Sequence, residues 1–147
     1  MEGFMLFDTE RANIDAGQSW AARQAGVSHG TARLCSDYPD SGAHYFGLRE
    51  QLRKRVLWLE AALAASRLLE DRAAEARHMS NLGVAYVDLG EPRRAIQHYE
   101  DSIAIKRTIG DRRGEANTLG NLGNAHAALG EAHKAIECHQ RALAIDL

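Results

Sequence analysis

The sequence predicts an all-α protein, an α-solenoid of antiparallel helix pairs. Three observations support this prediction. Residues Asp71–Leu147 contain one pattern twice at a constant offset, which is 40 between Leu82-Gly83 and Leu122-Gly123. Repeats of this length are typical of stacked supersecondary units. The chain is rich in alanine, leucine, glutamate and arginine and has only two prolines among its 147 residues, a composition that favours helices.

Composition and charge narrow the class of protein. A hydrophobic content of 45% and a charged content of 26% are typical of a soluble globular chain. A net charge of -2 offers no polycationic surface for nucleic acid or acidic lipid. The first residues, with an acid at Glu2, do not resemble a secretory signal, and no apolar run reaches the length of a membrane span. Cys35 and Cys138 share no metal-type spacing, so we expect reduced thiols in a cytoplasmic protein with no nucleic-acid or membrane partner.

Residues 1–70 are predicted to form an N-terminal helical region with a degenerate first repeat. Helical spacing of apolar residues begins after Asp8, and Gly26 ends it. A second helix is expected to be interrupted near Tyr38, because Pro39 removes a backbone donor. A long amphipathic helix follows Gly47. It is in register with the repeat, since Val56, Ile96 and Ile136 occupy equivalent positions of successive units.

Residues 71–110 and 111–147 are predicted to be two clear repeats, the second truncated or uncapped at its C-terminal end. Asp71 and Asp111 lie where helix N-caps belong. Glycines at 90, 110 and 130 lie where a left-handed residue ends a helix, and Pro92 suits the first turn of the next helix. The expected helices are 72–89, 92–108, 112–129 and 132–146.

Small residues are predicted to let the helices of each pair approach closely. Gly83 and Gly123 lie in the middle of helices, where glycine costs about 1 kcal/mol relative to alanine unless a close contact needs it. The predicted repeat-packing residues are Leu82, Gly83, Tyr86, Ala95, Tyr99, Leu122, Gly123 and Ala135.

These positions resemble the signature of the tetratricopeptide repeat. The pattern Leu82-Gly83-x-x-Tyr86, followed by Leu89-Gly90 and Ala95, carries the resemblance. The long period is similar to that of the repeats in kinesin light chain and related adaptors. The sequence departs from the signature in two ways. Met79 stands where the signature usually has tryptophan, and His126 and His139 stand where the preceding repeat has Tyr86 and Tyr99.

The first half resembles a narrower group, the sensor region of bacterial signalling NTPases of the NB-ARC (STAND) type. The residues that carry this resemblance are Leu6–Ile14, Trp20-Ala21, Tyr45–Arg49 and Trp58–Leu63. In that group the nucleotide binds upstream of the sensor. This chain has no Gly-rich phosphate loop ending in Lys-Ser or Lys-Thr, so no NTPase activity is expected.

Asparagines recur at one register of the first helix in each pair. The resemblance implies that this helix lines a concave groove, where Asn81, Asn121 and Asn124 hydrogen-bond the backbone of an extended peptide. Side-chain amides suit this task because each offers a donor and an acceptor. The predicted partner-binding residues are Arg77, Asn81, Val84, Asp88, Asn117, Asn121 and Asn124. The alternative is that the asparagines bridge neighbouring repeats and bind nothing.

Neither a metal site nor a catalytic set is predicted. His126 and His139 are expected to face one another across a helix pair, but two ligands fall short of a structural or catalytic site. The serines lack a nucleophile-elbow context, and the acids are expected mainly on solvated helix faces. The sequence therefore predicts a non-enzymatic module without a cofactor.

Two functions are consistent with this sequence. The first is capture of a peptide or protein partner in the groove, in bacterial signalling. The second is a self-assembling scaffold, because the last helix carries apolar residues such as Leu143 and Ile145 where a solenoid normally ends in a polar cap. Self-association through the C-terminal helix pair is the corresponding prediction.

Overall fold

The computed structural model describes residues 16–24, 26, 33 and 52–145. Every regular element among these residues is an α-helix, which confirms the predicted all-α fold class. The chain divides into two compact units, Met1–Glu70 and Asp71–Leu147. Several predictions lie outside the described residues: the helix start at Asp8, the interruption near Tyr38, Cys35, and residues 6–14 and 45–49 of the NB-ARC resemblance.

The first unit contains helical residues 16–24 and helix α1, Leu52–Leu68. Ala21 and Ala65 are fully buried against each other, and Ala61 packs beside them. The Gln18 side-chain amide donates a hydrogen bond to the carbonyl of Trp58 at 3.4 Å. Small side chains thus let these two helical segments pack closely.

The second unit is two successive helix pairs. Its helices are α2 (Arg72–Asp88), α3 (Pro92–Ile109), α4 (Arg112–Ala128) and α5 (Ala132–Ile145). Helix α2 packs on α3 and α4 packs on α5, while α3 also packs on α4 and so joins the pairs. The four helices begin where the sequence predicts, and each ends one residue from its predicted end.

Local sequence explains these boundaries. The Asp71 carboxylate accepts a hydrogen bond from the Ala74 backbone N–H at 2.9 Å, and Asp111 accepts one from Gly114 at 2.9 Å. Each bond satisfies a donor that the first helical turn would otherwise leave open. The glycines at 90, 110 and 130 have φ of 79°, 75° and 77°, a left-handed conformation that other residues adopt with strain.

Candidate partner-binding groove

The predicted binding residues of α2 lie on one line of that helix. Arg77, Asn81, Val84 and Asp88 follow one another at intervals of four, three and four residues, which places them on one helix face. Arg77 and Asp88 are exposed, and Asn81 and Val84 are half-buried. The line therefore presents two charged side chains, one amide and one apolar surface.

Helix α4 presents the equivalent line in the next repeat. Asn117 and Asn124 are exposed and Asn121 is half-buried. Helices α2 and α4 contact each other directly. The structure thus brings the seven predicted residues together on two neighbouring helices; we call this surface the groove face.

Three asparagine side chains of the groove face make no hydrogen bonds within the described fold. Across residues 52–145, no hydrogen bond joins the side-chain amide of Asn81, Asn121 or Asn124 to another protein group. The described residues thus give no support to the alternative that asparagines bridge neighbouring repeats. Each amide keeps a donor and an acceptor for an external group.

The predicted packing residues lie beneath this face. Leu82, Tyr86, Ala95, Tyr99, Leu122 and Ala135 are buried. A Cβ atom added at Gly83 would lie 2.3 Å from Cε1 of Tyr99, and one added at Gly123 would lie 2.8 Å from the His139 ring. Both glycines thus make room for an aromatic ring of the partner helix.

The two tyrosines occupy different environments. The Tyr86 ring stacks on His98 with centroids 5.3 Å apart, and the Arg94 guanidinium lies 4.2 Å from its centroid. Burial, with a smaller effect of the Asp88 charge, raises the pKa of Tyr99 to about 12. Tyr99 is therefore a neutral packing residue at physiological pH.

Profiles of a known protein family match the helical repeats of this chain. Residues 58–108 match a family profile described as tetratricopeptide repeat, and residues 116–145 match a second profile with the same description. Together the matches span more than half of the chain. The chain belongs to the tetratricopeptide-repeat family. Such repeats generally mediate protein–protein interaction.

The fold is similar to that of solved structures, one of them a TPR domain. The TPR domain of Arabidopsis FLU superposes with a TM-score of 0.67 and 19% identity, over 84% of this chain and 95% of that one. BtubC (BKLC) from P. vanneervenii superposes with a TM-score of 0.69 and 24% identity, over 81% of this chain and 48% of that one. At these identities the likeness establishes the fold. No curated protein matches the sequence significantly.

A buried polar network between the two tetratricopeptide repeats was not predicted. Lys106 on α3 is 8% exposed, and its Nζ donates to Ser80 Oγ at 2.9 Å, Thr118 Oγ1 at 2.7 Å and the Gly114 carbonyl at 3.3 Å. Ser80 Oγ also lies 2.8 Å from Ser102 Oγ. We call these residues the Lys106 network; it joins α2, α3 and α4.

The contacts of Lys106 match the donors of a protonated lysine. An ammonium group has three donors, and the three contacts of Nζ are met by two hydroxyls and a carbonyl. Burial lowers the pKa of Lys106, while the charge of Asp111 opposes this effect. The network thus links α2, α3 and α4 by hydrogen bonds inside the protein.

The expectation that acids lie mainly on solvated faces fails at two positions. Glu75 and Glu115, equivalent residues of the two repeats, are both buried. Arg72 pairs with Glu75, and Arg107 pairs with Glu115. Each acid lies in the first turn of its helix, where the helix dipole favours negative charge. The pair of Arg107 and Glu115 joins α3 to α4, whereas Arg72 and Glu75 lie in the first turn of the same helix, α2.

His126 of the second repeat makes polar contacts within the protein. His126 is buried, with Nδ1 2.6 Å from Glu131 Oε2, and Lys134 binds the same oxygen at 3.2 Å. Hydrogen bonds from His126 and then Lys134 lower the pKa of Glu131. Burial raises the pKa of the Cys138 thiol, which disfavours the thiolate that metals bind. Within the described ranges, no three His, Cys, Asp or Glu side chains gather as a metal site.

No helix in the described part of the chain combines the length and the apolar character needed to cross a membrane.

Proposed function

We propose that the tetratricopeptide repeats of this chain bind an extended segment of a partner protein on the groove face and catalyse no reaction. The observation that carries the proposal is the set of amides at Asn81, Asn121 and Asn124, which make no hydrogen bond within the described fold. An extended backbone presents alternating N–H and C=O groups, and an amide can pair with both.

The groove face of α2 suggests how the partner segment lies. Arg77 and Asp88 are eleven residues apart on it, or about 16 Å along the helix. Val84 lies between them and offers apolar contact, so a segment with an apolar side chain at its centre would match this surface.

The double variant Asn121→Ala, Asn124→Ala is expected to weaken binding about tenfold or more, because each lost hydrogen bond removes about 0.5–1.5 kcal/mol. A peptide selected from a random library on the wild-type protein serves as probe, and fluorescence anisotropy measures its affinity. Gln140→Ala removes an exposed amide from α5 and is the control. Equal affinity of the double variant and the control would rule out the groove face.

We also propose that the partner acts in bacterial signalling. Support comes from the resemblance of Trp58–Leu63 in α1, together with Trp20-Ala21 and the segments near the N-terminus, to the sensor region of NB-ARC-type NTPases. We expect a phosphate-loop NTPase module to be encoded in the same protein or directly beside it. A gene neighbourhood without such a module would contradict this assignment.

A second candidate function, self-assembly, is favoured by the exposed apolar side chains of α5. Leu143 is 67% exposed and Ile136 is 55% exposed; we call these two residues the end face. Ile103, equivalent to Leu143 in the preceding repeat, is only 5% exposed, and its helix α3 has α4 packed against it. A second copy covering the end face would bury surface of the same kind.

Leu143→Glu is therefore expected to weaken self-association by about tenfold or more, because it places a charge in an apolar contact. Light scattering over a wide concentration range measures the mass. Ala144→Glu introduces the same charge one residue further on the exposed side of α5 and is the control. A wild-type protein that is monomeric at every concentration would contradict the scaffold function.

A further inference from the structure

An exposed histidine lies between the two residues of the end face. His139 is three residues after Ile136 and four before Leu143, so it shares their side of α5. Its imidazole packs on α4 at Gly123, where an added Cβ atom would lie 2.8 Å from the ring. The residues three and four positions away from it on α5 are Ala135, Ile136, Ala142 and Leu143. The neighbours of this imidazole along the helix are therefore all apolar.

The preceding repeat shows how the same positions look when a helix covers them. Tyr99 is the equivalent of His139, and it is 2% exposed. Ile103, one turn further along α3, is 5% exposed, and α4 packs against this helix. Leu143, the equivalent of Ile103, is 67% exposed. A helix that covered α5 as α4 covers α3 would bury His139 among apolar side chains.

A second copy of the chain suits this surface. Ile136 and Leu143 carry no charge, and a neutral imidazole between them adds none, so two copies of the surface can meet without repulsion between like charges. Glu137 and Arg141 lie on another side of α5 and pair with each other at 3.8 Å. In a two-fold contact each surface is the partner of the other. Both copies of His139 then become buried in the same contact.

We propose that a second copy of this chain covers the end face only while the His139 imidazole is neutral, so that acid switches self-association off. The proposal rests on self-assembly as the function of the end face. Histidine is the side chain that ordinarily changes its charge between pH 5 and 8. A protonated ring would have to leave water for an apolar contact that offers no partner, which is costly. Binding of a proton therefore favours the separate chains.

The groups around His139 do not compensate a charge on its ring. Across residues 52–145, no hydrogen bond or ion pair joins His139 to another side chain. On α4, His126 is buried, and its Nδ1 lies 2.6 Å from Glu131 Oε2. Burial raises the pKa of the adjacent Cys138 thiol, and the carboxylate of Glu100 on α3 also raises it, so this thiol is uncharged in acid. The charge of His139 thus changes without a matching change beside it.

The test is sedimentation equilibrium of the full chain at about pH 7.5 and about pH 5.5, which bracket the usual titration of histidine. We expect the dissociation constant of the self-associated form to rise about tenfold or more in acid, because an ordinary imidazole is mostly protonated there. Circular dichroism at both pH values checks that the helices persist. The switch requires this rise without loss of helix.

Two substitutions of His139 separate charge from shape. H139Y restores the residue type of the preceding repeat, where the Tyr99 ring packs on Gly83, and it is expected to associate equally well at both pH values. H139K is charged at both pH values and is expected to associate about tenfold more weakly than the wild type at neutral pH. H133Q removes an exposed histidine of α5 that is not in the end face. It is the control and should keep the acid response of the wild type.

Two results would overturn the acid switch and leave self-assembly in place. One is an equal dissociation constant of the wild type at both pH values, and the other is an acid response that H139Y retains. A wild-type chain that stays monomeric at neutral pH at every concentration would overturn self-assembly and the switch together. Failure of the switch is therefore distinguishable from failure of the function on which it rests.

Discussion

Gly83→Ala is expected to destabilise the protein by about 1–2 kcal/mol, although alanine is the better helix former. The added methyl group would lie 2.3 Å from the ring of Tyr99, which is buried between α2 and α3. Overpacking of a filled core costs about 1–3 kcal/mol, and the gain of about 1 kcal/mol in helix propensity only partly offsets it. Thermal unfolding followed by circular dichroism should show a midpoint lower by roughly 5 °C.

The chain contains two matched controls for this substitution. Gly120 also lies inside a helix, α4, but an added Cβ would meet nothing within 4 Å, so Gly120→Ala should stabilise the protein by about 0.5–1 kcal/mol. Gly123→Ala should fall between them, because the His139 ring that it meets is exposed and has room to move. Equal stability of the Gly83 and Gly120 variants would show that close helix approach does not explain Gly83.

The helix boundaries were predictable because their causes are local. A capping aspartate acts on amides three residues away, and a left-handed glycine ends the helix that it follows, as Asp71 and Gly90 show. The second repeat has the same two residue types at the equivalent positions, Asp111 and Gly130, and they act in the same way. A feature that depends on neighbours close in sequence can be read from the sequence itself.

Features that depend on contacts between distant segments were harder to predict. The register of the asparagines was visible, but only coordinates show that Asn81 and Asn121 have no hydrogen-bond partner within the described fold. Likewise, a cavity at the turn between α2 and α3 is lined by Leu129 together with residues of the preceding repeat. The sequence has no pattern that marks the bonding state of the amides or this cavity, because both are defined only once the two repeats have packed together.

Lys106 was missed for a different reason. Lysine is rarely buried unless it is paired, so the residue type alone does not indicate a buried position. A signal was present, however: the position equivalent to Lys106 one repeat earlier is Ser66, which belongs to the buried stripe of α1. Two hydroxyls and a carbonyl compensate the buried charge, and the hydroxyls, those of Ser80 and Thr118, come from other helices.

Thr118→Val is accordingly expected to destabilise the protein by about 2–3 kcal/mol at neutral pH. Valine keeps the shape of threonine but removes the acceptor that lies 2.7 Å from Lys106 Nζ. Hydrogen bonds to charged groups contribute about 1.5–3 kcal/mol, and an ammonium left short of an acceptor inside a protein adds its desolvation cost. Urea unfolding at pH 7 gives the free energy directly.

Lys106→Met supplies the control for this interpretation. Methionine has no charge and fills a similar volume, and the hydroxyls of Ser80 and Ser102, which lie 2.8 Å apart, remain partners for each other when the lysine is removed. In the Lys106→Met background, Thr118→Val should cost less than about 1 kcal/mol, because no ammonium then lacks an acceptor. Equal costs in both backgrounds would mean that Thr118 acts through packing or through its bond to the Gly114 carbonyl.

The pH dependence of stability tests the same charge independently. Burial lowers the pKa of Lys106 in the folded protein below the ordinary value of 10.5. At a pH between the folded-state pKa and this ordinary value, the unfolded chain therefore binds more protons than the folded one. The contribution of this residue to the free energy of unfolding therefore rises as the pH increases through that window. It is lowest below the folded-state pKa, where lysine is protonated in both states. Tyr99, whose pKa is raised to about 12, titrates in both proteins, so the difference between wild type and Lys106→Met isolates the lysine. Parallel stability curves would mean that Lys106 carries no desolvation cost, and the hydroxyls around it would then need another explanation.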